Sequence, residues 1–316
     1  MKKVLKIIGI ILLIIALVIA GVLFAVSRIV AYRNTHYTEN AKPGGEIEKE
    51  YTTMGPMKVA SATYDAEGTA FQKFEIWYPS DMEEGPGIFP VVIMANGTGV
   101  KASAYQEVFR HLASWGFIVA GNEDKSSWDG NSSAATLDFL LKMNEDTHSI
   151  FYQHLDTGHI GIAGHSQGGV GAINAVTNQD NGNLYKAMWT ASATHIDLAN
   201  ALGWPYDVSK VIIPYMMVAG TGVADGGDGV EGSSSVGIAP LFSLQENFNA
   251  IPDTVTKVMA REKNMDHGDM LRYADGYMTA WFMYYLKGYT DAGTAFFGEK
   301  AEILTNKNWQ DVLINE

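Results

Sequence analysis

The chain has 316 residues, 47% hydrophobic and 18% charged, which is enough apolar sequence for a sizeable core and too little charge for general disorder. It contains no cysteine, which excludes disulfides, thiolate metal sites and a cysteine nucleophile. The formal charge of −13 is uneven: Lys2, Lys3, Lys6, Arg28 and Arg33 precede the first acidic residue, Glu39, and from there 17 basic residues face 35 acidic ones, a net of −18. So acidic a surface repels phosphate backbones, and no nucleic-acid partner is expected.

The first predicted element is apolar. Ile7 to Val26 carry no charged or strongly polar side chain, and twenty helical residues span about 30 Å, the thickness of a bilayer core. A cleaved signal peptide has a shorter apolar stretch, although Ala25-Val26-Ser27 would serve as a cleavage site. The expectation is therefore a signal anchor over residues 1–32, a single transmembrane helix, with the leading lysines cytoplasmic and the rest of the chain outside. Secretion after cleavage is the alternative. Residues 33–46, with Pro43-Gly44-Gly45, read as a linker, and 47–316 as one folded domain.

Within that domain Phe74–Tyr78 reads as a strand stopped by Pro79, and Phe89–Met94 as a buried strand ending at Asn96-Gly97. Ser103 and Gln106 predict a capping box for a helix to Ser114, with Gly116 as its stop. Phe117–Ala120 is the next strand, and Ser132–Met143 a helix with Leu137, Leu140 and Leu141 on one side. Ile160–Ala163 is a strand followed by a small-residue helix over Gly168–Val176. Three more strands are predicted at Lys186–Thr190, Val211–Val218 and Val255–Ala260. Strands alternating with helices imply an α/β fold, a mostly parallel sheet covered on both faces, with functional groups beyond the carboxyl ends of the strands.

One motif sits at such an end. Gly164-His165-Ser166-Gln167-Gly168 is Gly-x-Ser-x-Gly between a strand and a helix, the setting of a sharp turn that lifts a serine hydroxyl above the sheet. A serine needs a base within hydrogen-bond reach. Of the eight histidines, His36 falls in the linker, His111 in a helix, and His148, His154 and His159 before or at the start of the serine's strand. The side chain of His165 is expected to point away from the serine. His267, in a loop after the last predicted strand, suits the chain order Ser…Asp…His; His195 is placed to line a pocket. The acid is expected after Val211–Val218, with Asp225 preferred to Asp228 because it lies nearer the strand end, and Glu231 behind both. The same three carboxylates among glycines also allow a Ca²⁺ site, although their spacing is not that of an EF-hand. Backbone N–H groups of Gln167 and Thr98 are the candidate oxyanion donors, and Trp128, Thr194 and His195 the candidate pocket residues.

Together these residues resemble the α/β-hydrolase superfamily, and within it cutinase-like polyester hydrolases, dienelactone hydrolases and chlorophyllase-like esterases. The likeness runs from Phe74 to Leu286, through Phe89 to Gly97, Leu112 to Phe117, Gly164 to Gly169, Asp266-His267-Gly268 and Ala280-Trp281-Phe282. It implies an α/β-hydrolase fold, Ser166, Asp225 and His267 as a triad, Thr98 and Gln167 as oxyanion donors, and no cofactor. It also implies an ester substrate attacked through an acyl-enzyme. Thr98 stands where the polyester hydrolases have an aromatic residue, Thr194 where they have a stacking tryptophan, and no disulfide can form near the histidine loop. These departures point away from aromatic polyesters. An acyltransferase on the same scaffold and a non-catalytic surface binding domain are the other readings the sequence allows.

Overall fold

The computed structural model describes the backbone of residues 2–316 and their side chains except at 2–11, 14, 30, 33 and 34. The chain divides into two compact units, Met1–Ala41 and Lys42–Glu316. The first is a helix over Lys2–Thr35 followed by a helical turn, Tyr37–Asn40. Leu13, Leu17, Leu23 and Phe24 are exposed on it. The expected membrane span is not borne out: among the described residues no helix is long and apolar enough to cross a membrane. The beginning of the expected span, Ile7–Ile11, lies outside the described side chains.

The second unit is built on nine strands: β1 (Val59–Asp65), β2 (Lys73–Pro79), β3 (Phe89–Ala95), β4 (Ile118–Asn122), β5 (Leu155–His165), β6 (Tyr185–Ala191), β7 (Tyr215–Gly220), β8 (Lys257–Glu262) and β9 (Trp309–Asn315). They form one sheet in the order β1-β2-β4-β3-β5-β6-β7-β8-β9. From β4 to β8 all pairings are parallel; β1, β2 and β9 join antiparallel at the edges. The central strands are apolar on both faces because helices cover both. On one face Gly161 of β5 meets Phe282 of the helix Asp275–Lys287; on the other, Ile160 and Ile162 pack with Leu137 and Val170 of the helices Asn131–Glu145 and Gln167–Asn178. Each such buried aliphatic side chain contributes about 1.5–3 kcal/mol.

Three local expectations are corrected. β7 starts at Tyr215 rather than Val211, because Ile212 points into solvent at 78% exposure and Pro214 has no N–H for the ladder. The capping box at Ser103 does not form: the helix Gln106–Ser114 has no side-chain cap, and Ser103 bonds Glu123 instead. Residues 42–46, read as linker, belong to the second unit. There Gly44 N–H donates to Glu48 Oε2 at 2.6 Å, and Glu48 also accepts from Asn306 Nδ2 (2.8 Å) and Trp309 Nε1 (2.7 Å). Beside this knot a fully buried pair, His111 Nδ1–Asp275 Oδ2 at 2.7 Å, joins the helices Gln106–Ser114 and Asp275–Lys287, and His111 Nε2 reaches Thr53 O at 2.8 Å.

The topology places the site. β3 and β5 are neighbours, yet the chain leaves β3 toward β4 and leaves β5 toward β6. The loops beyond their carboxyl ends therefore diverge and open a crevice.

Candidate active site

Ser166 follows β5 directly and carries φ 60°, ψ −125°, a conformation that L-residues adopt only under constraint. Its neighbours make the turn possible. A Cβ at Gly164 would lie 2.0 Å from Gly168 O, and one at Gly168 would lie 2.1 Å from Ala95 O, so only glycine lets helix and strands close to this distance. Ser166 N–H donates to Ala191 O at 3.0 Å, tying the turn to β6.

His267 comes from the loop after β8. Its Nε2 is 2.9 Å from Ser166 Oγ and its Nδ1 2.7 Å from Asp225 Oδ1. A carboxylate can only accept, so Nδ1 carries the proton and Nε2 is left to accept from the serine hydroxyl. Asp225 is fully buried, in a helical turn over Val223–Gly226 just past β7. Its second oxygen accepts from Ser192 Oγ at 2.6 Å and from Gly220 N–H at 2.7 Å. The structure thus brings three expected residues into one hydrogen-bonded line, Ser166 to His267 to Asp225. Chemically this line can move a proton from a hydroxyl to an imidazole and hold the resulting imidazolium against a buried carboxylate.

Asp228 lies elsewhere, exposed and bonded to Ser233 Oγ; Glu231 is exposed as well. With the Asp225 carboxylate given to His267, Ser192 and Gly220, the Ca²⁺ alternative loses its buried ligand. Among the described residues no group of three His, Cys, Asp or Glu side chains could hold a metal.

The loop after β3 is held from below. Asn96 Nδ2 donates to Asn122 O (2.7 Å) and Asp124 O (2.8 Å), while Ser127 Oγ donates to Asn96 O at 2.6 Å. Gln167 Oε1 accepts from Ser127 N–H at 3.1 Å, so its side chain is engaged and its role is left to the backbone. Gly97 N–H is taken by Tyr105 Oη at 3.1 Å. Thr98 is exposed at the crest of this loop, and Gln167 opens the helix after the serine.

The pocket residues fall differently. Trp128 is partly buried and packs against the main core. Thr194 and His195 are buried at 2% and 5% exposure. The His195 ring caps the helix Ile196–Ala201, with Nδ1 3.5 Å from Leu198 N–H, and stands edge-on to Phe242.

Two contributors were not foreseen. Ser192, fully buried at φ 50°, holds the acid; a single serine after a strand has no motif to announce it. His165 lies against His267 with its ring tilted by 41° and the ring centroids 4.8 Å apart, and its Nε2 is 2.7 Å from His267 O. Burial, and next the neighbouring His267, push its pKa down to about 4. It is therefore neutral at physiological pH and donates through Nε2 to the carbonyl of the base.

The model of a family described as PET hydrolase-like matches residues 40–221, more than half of the chain. The chain belongs to the PET hydrolase-like family. A bis(hydroxyethyl) terephthalate hydrolase of Streptomyces coelicolor is 26% identical over 220 residues, covering 67% of this chain and 61% of that relative. The chain thus spans about three-fifths of that curated relative. The family match includes the loop after β3 and Ser166 but stops short of Asp225 and His267, whose places rest on the geometry alone.

Proposed function

We propose that this PET hydrolase-like protein is a serine carboxylic-ester hydrolase that works through a Ser166–His267–Asp225 triad and an acyl-enzyme. The observation that carries the reading is the unbroken line from Ser166 Oγ through His267 to Asp225, with 2.9 Å and 2.7 Å links. In the proposed reaction His267 Nε2 takes the hydroxyl proton as Oγ attacks the ester carbonyl. It returns that proton to the leaving alkoxide, and then activates the water that releases the acid. Thr98 and Gln167 N–H groups are the proposed donors to the oxyanion. Asp225, buried and triply bonded, keeps the imidazole in the tautomer this requires.

The substrate proposed is a small carboxylic ester. The ester named for the Streptomyces coelicolor relative, bis(hydroxyethyl) terephthalate, belongs beside aliphatic esters of graded chain length in the test panel. We propose further that the lysine-led apolar segment at the N-terminus carries the hydrolase unit out of the cytoplasm. That reading is supported by the charge pattern of the sequence. The enzymatic reading is tested by turnover of short nitrophenyl esters. Ser166→Ala should abolish it, and retention of the wild-type rate would refute the assignment.

A further inference from the structure

The acid and the base stand on separate loops, and the acid's loop is rich in glycine, so something has to fix the distance between them. We propose that Asp266, the residue before the base, is a positioning residue that staples the acid's loop to the base's loop. This rests on the triad reading above.

The Asp266 side chain touches the backbone of both partners at once. Its Oδ1 accepts from Asp225 N–H at 3.0 Å and from His267 N–H at 2.9 Å, while Oδ2 accepts from Ala224 N–H at 3.2 Å. One oxygen is therefore shared between the amides of the acid and the base, and a shift of either loop breaks one of its bonds. The surrounding chain is built to admit it. Gly222 faces Asp266 so closely that a Cβ there would lie 2.4 Å from Asp266 Cγ. Two further hydrogen bonds run alongside, Gly222 N–H to Met265 O at 2.8 Å and Asn264 N–H to the Thr221 side-chain Oγ1 at 2.9 Å. They join the two segments but reach neither Asp225 nor His267. Burial disfavours the charged carboxyl of Asp266, but the three amide donors and the nearby His267 outweigh it and hold its pKa below the usual range. The staple is accordingly ionised and accepting at any pH where the imidazole can act as a base.

The test compares kcat and KM of the full chain, on a short ester, for wild type, Asp266→Ala, Asp266→Asn, Gly222→Ala and Asp228→Ala. Loss of the staple lets the base drift on the ångström scale, which costs on the order of 10²-fold in kcat. Asp266→Ala should show that loss with KM within about twofold of wild type, because the ester's own contacts are untouched. Asp266→Asn keeps an oxygen for the two amides that matter and should recover to within about tenfold of wild type. Gly222→Ala displaces the carboxylate without removing it and should lower kcat at least about tenfold. Asp228→Ala, on the same loop but outside the contact, should match wild type. A folded Asp266→Ala protein with kcat within about threefold of wild type overturns the staple. Equal losses in the Asn and Ala variants also overturn it. If Asp266→Ala fails to fold, the Asn and Gly222 variants decide. Turnover that disappears in Ser166→Ala but survives in Asp266→Ala refutes the staple alone, whereas wild-type protein without Ser166-dependent turnover refutes both readings.

Discussion

Ser192 offers the sharpest test of how the acid is held. Its hydroxyl donates to Asp225 Oδ2 at 2.6 Å inside a site with no exposure, and Gly220 N–H is the other donor to that oxygen. Ser192→Ala removes one of the two donors to that oxygen of a buried carboxylate. A hydrogen bond to a charged group contributes about 1.5–3 kcal/mol. The bond matters most when the imidazolium forms, so most of that loss should appear in the barrier. At 1.36 kcal/mol per decade it lowers kcat by roughly 10- to 100-fold. A second variant separates this from the strain at the same residue, whose φ of 50° favours glycine. Ser192→Gly relieves the backbone and should melt at or above the temperature of the Ala variant, while remaining as slow. The assay is steady-state hydrolysis of a short nitrophenyl ester together with thermal melting of each protein. Either variant turning over within twofold of wild type, with its fold intact, would refute the view that Ser192 anchors Asp225.

Other consequences concern stability and the loop after β3. Burial, and then the charges of Glu48 and Asp269, push Glu262 up to about 8, from an ordinary 4.5. The folded protein therefore keeps a proton that the unfolded chain releases, and stability falls as pH rises from about 4.5 to 8. Glu262→Gln should remove that fall, gaining up to about 3 kcal/mol at pH 7 and nothing near pH 4.5 in urea unfolding; a gain independent of pH would contradict it. His111→Ala removes the imidazole from the buried Asp275 carboxyl and should cost about 3–5 kcal/mol, read as a lower denaturant midpoint. Asn96→Ala strips donors from the carbonyls of Asn122 and Asp124. It should cost about 1–3 kcal/mol and slow kcat more than it changes KM, and an unchanged kcat would detach this network from the proposed oxyanion role of the loop after β3.

How far the sequence reaches is visible residue by residue. The inner strands are legible because they are apolar on both faces, and their runs of Val, Ile, Met and Ala stand out. β1 and β9 escape because they are partly exposed edge strands, β1 with polar Ser61 and Thr63 in alternation and β9 with the adjacent polar pair Gln310 and Asp311. Ser166 and His267 are marked by a motif and by chain order. The choice between Asp225 and Asp228 turns on burial, which spacing along a glycine-rich loop does not encode. Ser192 and Asp266 act through bonds to a carboxylate and to main-chain amides, contacts that any small polar residue can make once tertiary structure brings the loops together. Thr194 and His195 follow a strand as a pocket residue would, and their burial in the turn after β6 is a tertiary fact that spacing does not encode.

The most direct test of the triad is covalent capture of its nucleophile. Wild-type protein treated with a fluorophosphonate should carry one phosphonyl group on the peptide containing Ser166, found by mass spectrometry after digestion. Ser166→Ala should carry none, and His267→Ala should label far more slowly. A label on another residue, or equal labelling of the Ser166→Ala protein, would contradict the account.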